Sequence, residues 1–193
     1  MAGEQLKGFK VALLATDGFE QSELIEPQRA LEAAGADTEV ISPMAGKVRG
    51  WSKKQWGDEV EVDQTLEDAD PKDYDALVLP GGVINADALR MQPKAVAFVK
   101  AFVDAGKPMG VICHGSWALI EAGGARGHKL TSWPSLKSDL ENAGASWVDE
   151  EVVVDGQLVT SRKPDDLPAF NREITRLFGK AHAPLAHANG RRR

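Results

Sequence analysis

Cys113 is the one cysteine in a chain of 193 residues. It stands where an apolar run of strand length, Pro108 to Ile112, gives way to His114-Gly115-Ser116 and then to Trp117, Ala118, Leu119 and Ile120, which read as a helix. A side chain at such a junction is aimed over the first turn of the helix. There the unpaired N–H groups and the positive end of the dipole favour an anion, so a thiol with a free pKa of about 8.5 is drawn toward thiolate, its nucleophilic form. Gly115, two residues on, matches the second glycine of the nucleophile elbow G-x-S-x-G, whereas Val111 occupies the place of the first. A lone cysteine is also commonly a small buried apolar residue. The local pattern leaves both readings open.

Two other stretches could complete a site. Gly81 and Gly82 follow an apolar run and, lacking Cβ atoms, can present backbone N–H groups to an anion; with the N–H of His114 they would form an oxyanion hole. A plain glycine turn is the alternative. Thr16 to Glu23 carries Asp17, Glu20 and Glu23, a poor composition for holding phosphate, which argues against a flavin mononucleotide site. Glu23 facing the thiol would help only when protonated, as a donor to the thiolate. Ionised, it would repel that charge, so the two would titrate as a coupled pair. Taken singly, each of these carboxylates also reads as a solvated charge at a helix start. His114 is a candidate base, although neighbouring side chains usually diverge and its ring is expected to approach the sulfur only loosely; an interface or surface histidine is the other reading. His128 lies in a polar connection and is expected to be exposed. His182 and His187 lack neighbours in metal-ligand spacing, so no metal site is expected.

These stretches need a scaffold that brings them together. Lys10 to Ala15 reads as a first strand, ending in the turn-like Thr16-Asp17-Gly18. Leu24, Pro27, Leu31 and Ala34 recur at helical spacing, with Pro27 expected in the first turns and Gly35 as the stop. Thr38 to Ile41 is a second strand. Ser42 to Asp70 lacks helical period, and the alternating Val60-Glu61-Val62 points to a peripheral hairpin. Asp75 to Leu79 is a buried strand running into Pro80-Gly81-Gly82. Ala95, Phe98, Val99 and Phe102 mark a helix between Pro93 and Gly106. Val152 to Val154 and Leu158 to Ser161 flank an Asp155-Gly156 turn, before a last helix with Phe170, Ile174 and Leu177 on one face. Alternation of strands and helices implies an α/β fold with a mostly parallel sheet covered on both sides, and ligands in such sheets bind beyond the carboxyl ends of the strands. The three chemical loops all follow strands.

Length fits one domain, taken as residues 1–180, with 181–193 as a C-terminal appendage that ends in Arg191 to Arg193. A net charge of -6 gives no electrostatic reason to bind nucleic acid, and no apolar run approaches the ~20 residues that span a bilayer. The first residues carry an acid and lack the apolar core of a signal peptide, so a cytoplasmic location is expected. A single cysteine forms no disulfide within the chain.

The assembled motifs resemble those of a known family. VALLATDGFEQSEL (Val11 to Leu24), LPGG (Leu79 to Gly82) and VICHG (Val111 to Gly115) are similar to the PfpI/ThiJ family, of the class I glutamine amidotransferase-like superfamily. TSWPS (Thr131 to Ser135) and LVTSR (Leu158 to Arg162) also resemble its bacterial general-stress members, and the similarity runs from about Lys10 to Gly179. The resemblance implies a flavodoxin-like three-layer sandwich and an oligomer built from dimers. It implies that Cys113 is the elbow nucleophile, Glu23 its carboxylic-acid partner, and His114 a candidate base whose ring points toward a neighbouring subunit. In the protease-like branch a carboxylate near the glycine turn reaches that histidine across the interface. VINAD (Val83 to Asp87) matches here, which makes Asp87 the candidate, shorter than that branch's glutamate and in a slightly longer loop.

Glutamine amidotransferases use a His-x-Glu after the elbow. His128, His182 and His187 are each followed two residues on by a non-acidic residue, so glutamine hydrolysis is not expected. The resemblance brings several activities: intracellular protease, glyoxalase, deglycase, chaperone and oxidative-stress sensor. Their shared element is an accessible thiolate beside a protonated carboxylic acid. The expectation is a stress-protective cysteine hydrolase acting on a carbonyl of a peptide or a glycated or aldehyde adduct, without a cofactor. The alternative is a sensor or chaperone that uses oxidation of Cys113.

Overall fold

The computed structural model describes residues 5–190. The chain opens with β1 (Lys10–Leu14), a short β2 (Phe19–Glu20) and α1 (Gln21–Ala33), followed by β3 (Asp37–Ser42). A hairpin of β4 (Lys47–Ser52) and β5 (Gln55–Glu61) and a short β6 (Gln64–Thr65) precede β7 (Ala76–Leu79). Next come α2 (Val83–Arg90), α3 (Pro93–Asp104), β8 (Met109–Ile112) and α4 (Ser116–Glu121). The last third holds β9 (Lys129–Leu130), α5 (Lys137–Asn142), β10 (Ser146–Trp147), β11 (Val152–Asp155), β12 (Leu158–Ser161) and α6 (Leu167–Gly190).

Seven strands form the central sheet in the order β11-β12-β8-β7-β1-β3-β6. Every pairing in it is parallel except the β11–β12 hairpin at one edge. Buried strands alternate their side chains between two cores. Val11 and Leu13 of β1 join α1 and α6 through Leu24, Leu31, Phe170 and Ile174. Ala12 and Leu14 face the other way, toward Phe98, Phe102 and Leu119 of α3 and α4. The result is the three-layer, flavodoxin-like α/β arrangement the sequence led us to expect.

The chain leaves β1 toward β3 and β6, then returns to the other side of β1 as β7. Connections after β1 and β7 therefore diverge and leave a crevice at the carboxyl ends of the strands, the place where this topology binds ligands. Residues 16–20, 80–82 and 113–115 all emerge there.

Four local differences from the sequence reading matter. The peripheral hairpin is longer than Val60-Glu61-Val62, and its turn is Lys53-Lys54, both at positive φ (49° and 68°), without the glycine or asparagine that announces such a turn. Residues 83–90 form a helix, although only a loop was read there. Pro27 is the seventh residue of α1, further in than the first turns, and leaves the Glu23 carbonyl without the usual donor four residues on. Finally, α6 runs through to Gly190, into the stretch set apart as an appendage. His182 on it packs edge-on against Phe9, with ring centres 5.4 Å apart. Arg191–Arg193 and the side chain of His187 lie outside the described residues. Among those described, no helix is long and apolar enough to cross a membrane.

Candidate active site

β8 is buried along its whole length and ends at Cys113, whose φ of +60° breaks the strand and turns the chain into a 3-10 turn, Cys113–Gly115, ahead of α4. A left-handed conformation costs a residue with a Cβ roughly 1–2 kcal/mol, and such strain is found mainly where function holds it in place. Gly115 allows the turn to press against β7, since an added Cβ would lie 2.5 Å from the Leu79 carbonyl oxygen. The elbow is thus present without its first glycine: Val111 is an ordinary buried strand residue.

Four groups face the sulfur. The backbone N–H groups of His114 and Gly82 are directed at Sγ, and the Glu23 carboxyl is within hydrogen-bonding reach. His114 Nδ1 lies 3.2 Å from Sγ, closer than adjacency in sequence suggested, because the left-handed turn at Cys113 brings the two side chains together. Glu23 is completely buried at the start of α1; Oε2 accepts the Gly81 N–H at 2.8 Å, and Oε1 has no partner. The Gly81 N–H is therefore committed to the carboxyl, which takes it out of the expected oxyanion hole. An added Cβ on Gly81 would stand 2.4 Å from Glu23 Oε2 and 2.6 Å from Cys113 Cβ. Only glycine fits between the two reactive groups.

Burial raises Glu23 from the ordinary carboxylate value to about 8; the Gly81 N–H opposes the shift, and the charge of Glu20 adds to it. At neutral pH Glu23 thus carries a proton. Burial also raises the Cys113 thiol, and an ionised Glu23 would raise it further, while the His114 and Gly82 N–H groups act the other way. His114, lowered by burial, is a neutral imidazole.

Cys113 is 6% exposed and lines a cleft of about 500 Å³. Trp51, Val83, Ile84, Trp133 and Pro164 give the cleft apolar walls, with Glu20 at its edge. Trp133 stacks on the His114 ring at 5.9 Å, and Trp117 meets that ring edge-on at 5.2 Å. Trp51 arrives because β2 pairs in parallel with β4, setting Glu20 opposite Trp51. Gln21 fastens the hairpin to α1 by exchanging two 2.8 Å hydrogen bonds with Asp58.

Asp87 does not reach Cys113 or His114 within its own chain. It lies on the exposed face of α2, outside the cleft lining. His128 is half-exposed beside Asp155, 3.2 Å from Oδ2. Among the described residues no cluster of histidine, cysteine, aspartate and glutamate could hold a metal ion.

The model of the DJ-1/PfpI family matches residues 9–177. The chain belongs to the DJ-1/PfpI family. General stress protein 18 of Bacillus subtilis is 47% identical over 175 residues, covering 90% of this chain and 99% of that protein. Protein/nucleic acid deglycase 2 of Escherichia coli is 47% identical over 172 residues, covering 88% of this chain and 98% of its own. Among solved structures, a two-domain protein of Anabaena variabilis with DJ-1/ThiJ/PfpI-like and ferritin-like domains superposes with a TM-score of 0.83 at 36% identity, over 89% of this chain and 48% of that one.

Membership in the DJ-1/PfpI family agrees with the three motifs that met at the cleft. Sequence reasoning missed the apolar walls, because Trp51 sits in a hairpin whose position nothing local specifies. It also passed over Asn85, a fully buried amide inside the VINAD stretch. Its signal was an inverted pattern: polar Asn85 faces inward while Val83 and Ile84, about half exposed, face out.

Proposed function

We propose that this chain is a stress-protective cysteine hydrolase in which Cys113 attacks an electrophilic carbonyl. One observation carries the reading: the strained Cys113 places its sulfur in an apolar cleft between two backbone N–H groups and a buried carboxyl that is protonated at neutral pH. When the Cys113–Glu23 pair loses a proton, the charge has two homes. On Glu23 it meets the Gly81 N–H and the Cys113 S–H; on sulfur it meets two N–H groups and the Glu23 O–H. The donor count favours the thiolate.

The sulfur lone pair then forms a C–S bond, and the carbonyl π electrons move to oxygen. As sulfur loses its charge, the Gly82 and His114 N–H groups are free to serve the new oxyanion. For an amide substrate, collapse breaks the C–N bond and the departing nitrogen takes a proton from Glu23. Water, with its proton accepted by neutral His114 or by Glu23, then releases the acid and restores the thiol. The names of the relatives favour a glycated adduct as the carbonyl source, and the cleft is open enough for a small adduct or a side chain. A cytoplasmic location, and assembly into dimers or larger oligomers with Asp87 near a neighbouring subunit, belong to the same reading. The exposed Val83, Ile84 and Trp133 support the assembly.

The test is turnover of methylglyoxal, a glycated thiol and a peptide amide by parent and Cys113→Ser proteins. A saturable kcat in the parent, reduced about a thousandfold or more in the variant, is the expected result. Burial pushes the Cys113 thiol up, and the reading requires the donors around sulfur to outweigh it, so alkylation by iodoacetamide should show a midpoint below the free-thiol value of about 8.5. No turnover on any substrate, with stoichiometric modification of Cys113 by peroxide, would replace the hydrolase with a redox sensor.

A further inference from the structure

Asn85 occupies the first turn of α2 and is 0% exposed. An apolar residue would be the ordinary choice for an inward position on a surface helix, and two, Val83 and Ile84, are instead turned outward. A buried amide is tolerated where its hydrogen bonds are made. Those of Asn85 are made with backbone on two different loops. Its Oδ1 accepts the Thr16 N–H at 2.8 Å, and its Nδ2 donates to the carbonyls of Pro80 at 3.2 Å and Gly81 at 2.9 Å.

Those two carbonyls belong to the peptides whose N–H groups serve the reactive pair. In a planar trans peptide the C=O and N–H point in opposite directions. Turning the Pro80 carbonyl toward Asn85 aims the Gly81 N–H away from it, at Glu23 Oε2 2.8 Å off. Turning the Gly81 carbonyl the same way aims the Gly82 N–H at Cys113 Sγ. Glycine peptides have wide conformational freedom, and the Gly81 carbonyl is held in addition by a 3.3 Å bond from the Glu20 N–H.

We propose that Asn85 is a positioning residue: its single side-chain amide fixes both peptide planes, and so aims one donor at the carboxyl of Glu23 and the other at the sulfur of Cys113. This rests on the thiolate reading given above. The bond to Thr16 ties the same amide to the loop that leads into Glu23, so the acid and the two donors are held to one reference point.

Asn85→Asp and Asn85→Ala test the inference. Aspartate keeps the acceptor for Thr16 and the size of the side chain, but can donate to at most one of the two carbonyls. Iodoacetamide alkylation of Cys113 is followed against pH in each folded variant, with melting temperature recorded separately. Both variants should raise the alkylation midpoint by about one pH unit and lower kcat more than they change KM. Variants that melt earlier yet keep the parent's midpoint overturn the proposal, since a purely structural amide would do just that.

A second measurement needs no variant. In the parent, the Gly82 amide and the Asn85 side-chain amide should shift in NMR spectra with the same midpoint as the thiol. An Asn85 signal that stays flat while Gly82 titrates overturns the proposal. The parent's own midpoint tests the hydrolase reading; the difference between parent and variant, or between the two NMR signals, tests Asn85.

Discussion

The two ends of β8 are built by opposite rules. At its amino end the chain enters through Gly106, at a φ of +62°, where an added Cβ would meet nothing within 4 Å. Polar groups there are satisfied: Lys107 Nζ donates to the carbonyls of Pro71 and Tyr74, and the Met109 N–H donates to Gln157 O at 2.8 Å. At its carboxyl end, four residues later, a non-glycine residue carries the positive φ, the carboxyl beside it is buried with one oxygen unpartnered, and the nearby imidazole is neutral. One end relieves strain and pairs its polar groups. The other concentrates strain and buries ionisable groups in their neutral forms, which is the expected division where a fold gives up local stability for a reactive group.

Substitutions at the two ends should therefore differ in kind. The largest effect is expected from Gly81→Ala, whose methyl group would collide with both Glu23 and Cys113. Turnover should fall to background, with about 1–3 kcal/mol lost in urea unfolding. Activity within a few-fold of the parent would show that the two groups need not stand together.

Glu23→Gln should give an intermediate effect with a definite sign. An acid raised from 4.5 to about 8 on folding keeps a proton that the unfolded chain releases, so parent stability should fall as pH rises through that window. The glutamine variant lacks this slope and should be the more stable protein above about pH 8, by an amount on the order of a few kcal/mol. Urea unfolding from about pH 5 to about pH 9 reads the two slopes directly. Equal slopes would mean that Glu23 is ionised in the folded state at neutral pH.

Gly106→Ala should have the smallest effect. Its cost is backbone strain alone, about 1–2 kcal/mol, with kcat and the alkylation midpoint of Cys113 unchanged. A change in either would mean that the two ends communicate through the strand.

Much of this division was legible in the residues. The apolar runs at Lys10 to Ala15, Asp75 to Leu79 and Pro108 to Ile112 became adjacent parallel strands, because a sheet buried on both faces accepts continuous apolar sequence. Cys113, Glu23, Gly82 and His114 met, because each follows the carboxyl end of one of those strands. Three features were not legible. Gly81 is chemically the same as Gly82 in sequence, and only the direction of its peptide assigns its N–H to Glu23. Residues 83–90 form a helix although two exposed apolar residues and an inward asparagine invert the usual pattern. The hairpin that carries Trp51 to the cleft turns at Lys53-Lys54, with no glycine or asparagine to announce it.

The sequence by itself determined which loops would carry chemistry, since apolar runs dictate strands and strands of this kind deliver their following residues to one edge. Tertiary structure alone decided the protonation of Glu23 and the aim of the donors around Cys113. Both depend on exclusion of water and on the direction of a few peptide planes, and those are set by groups distant in the chain, Asn85 and Gly81 among them, rather than by neighbours in sequence.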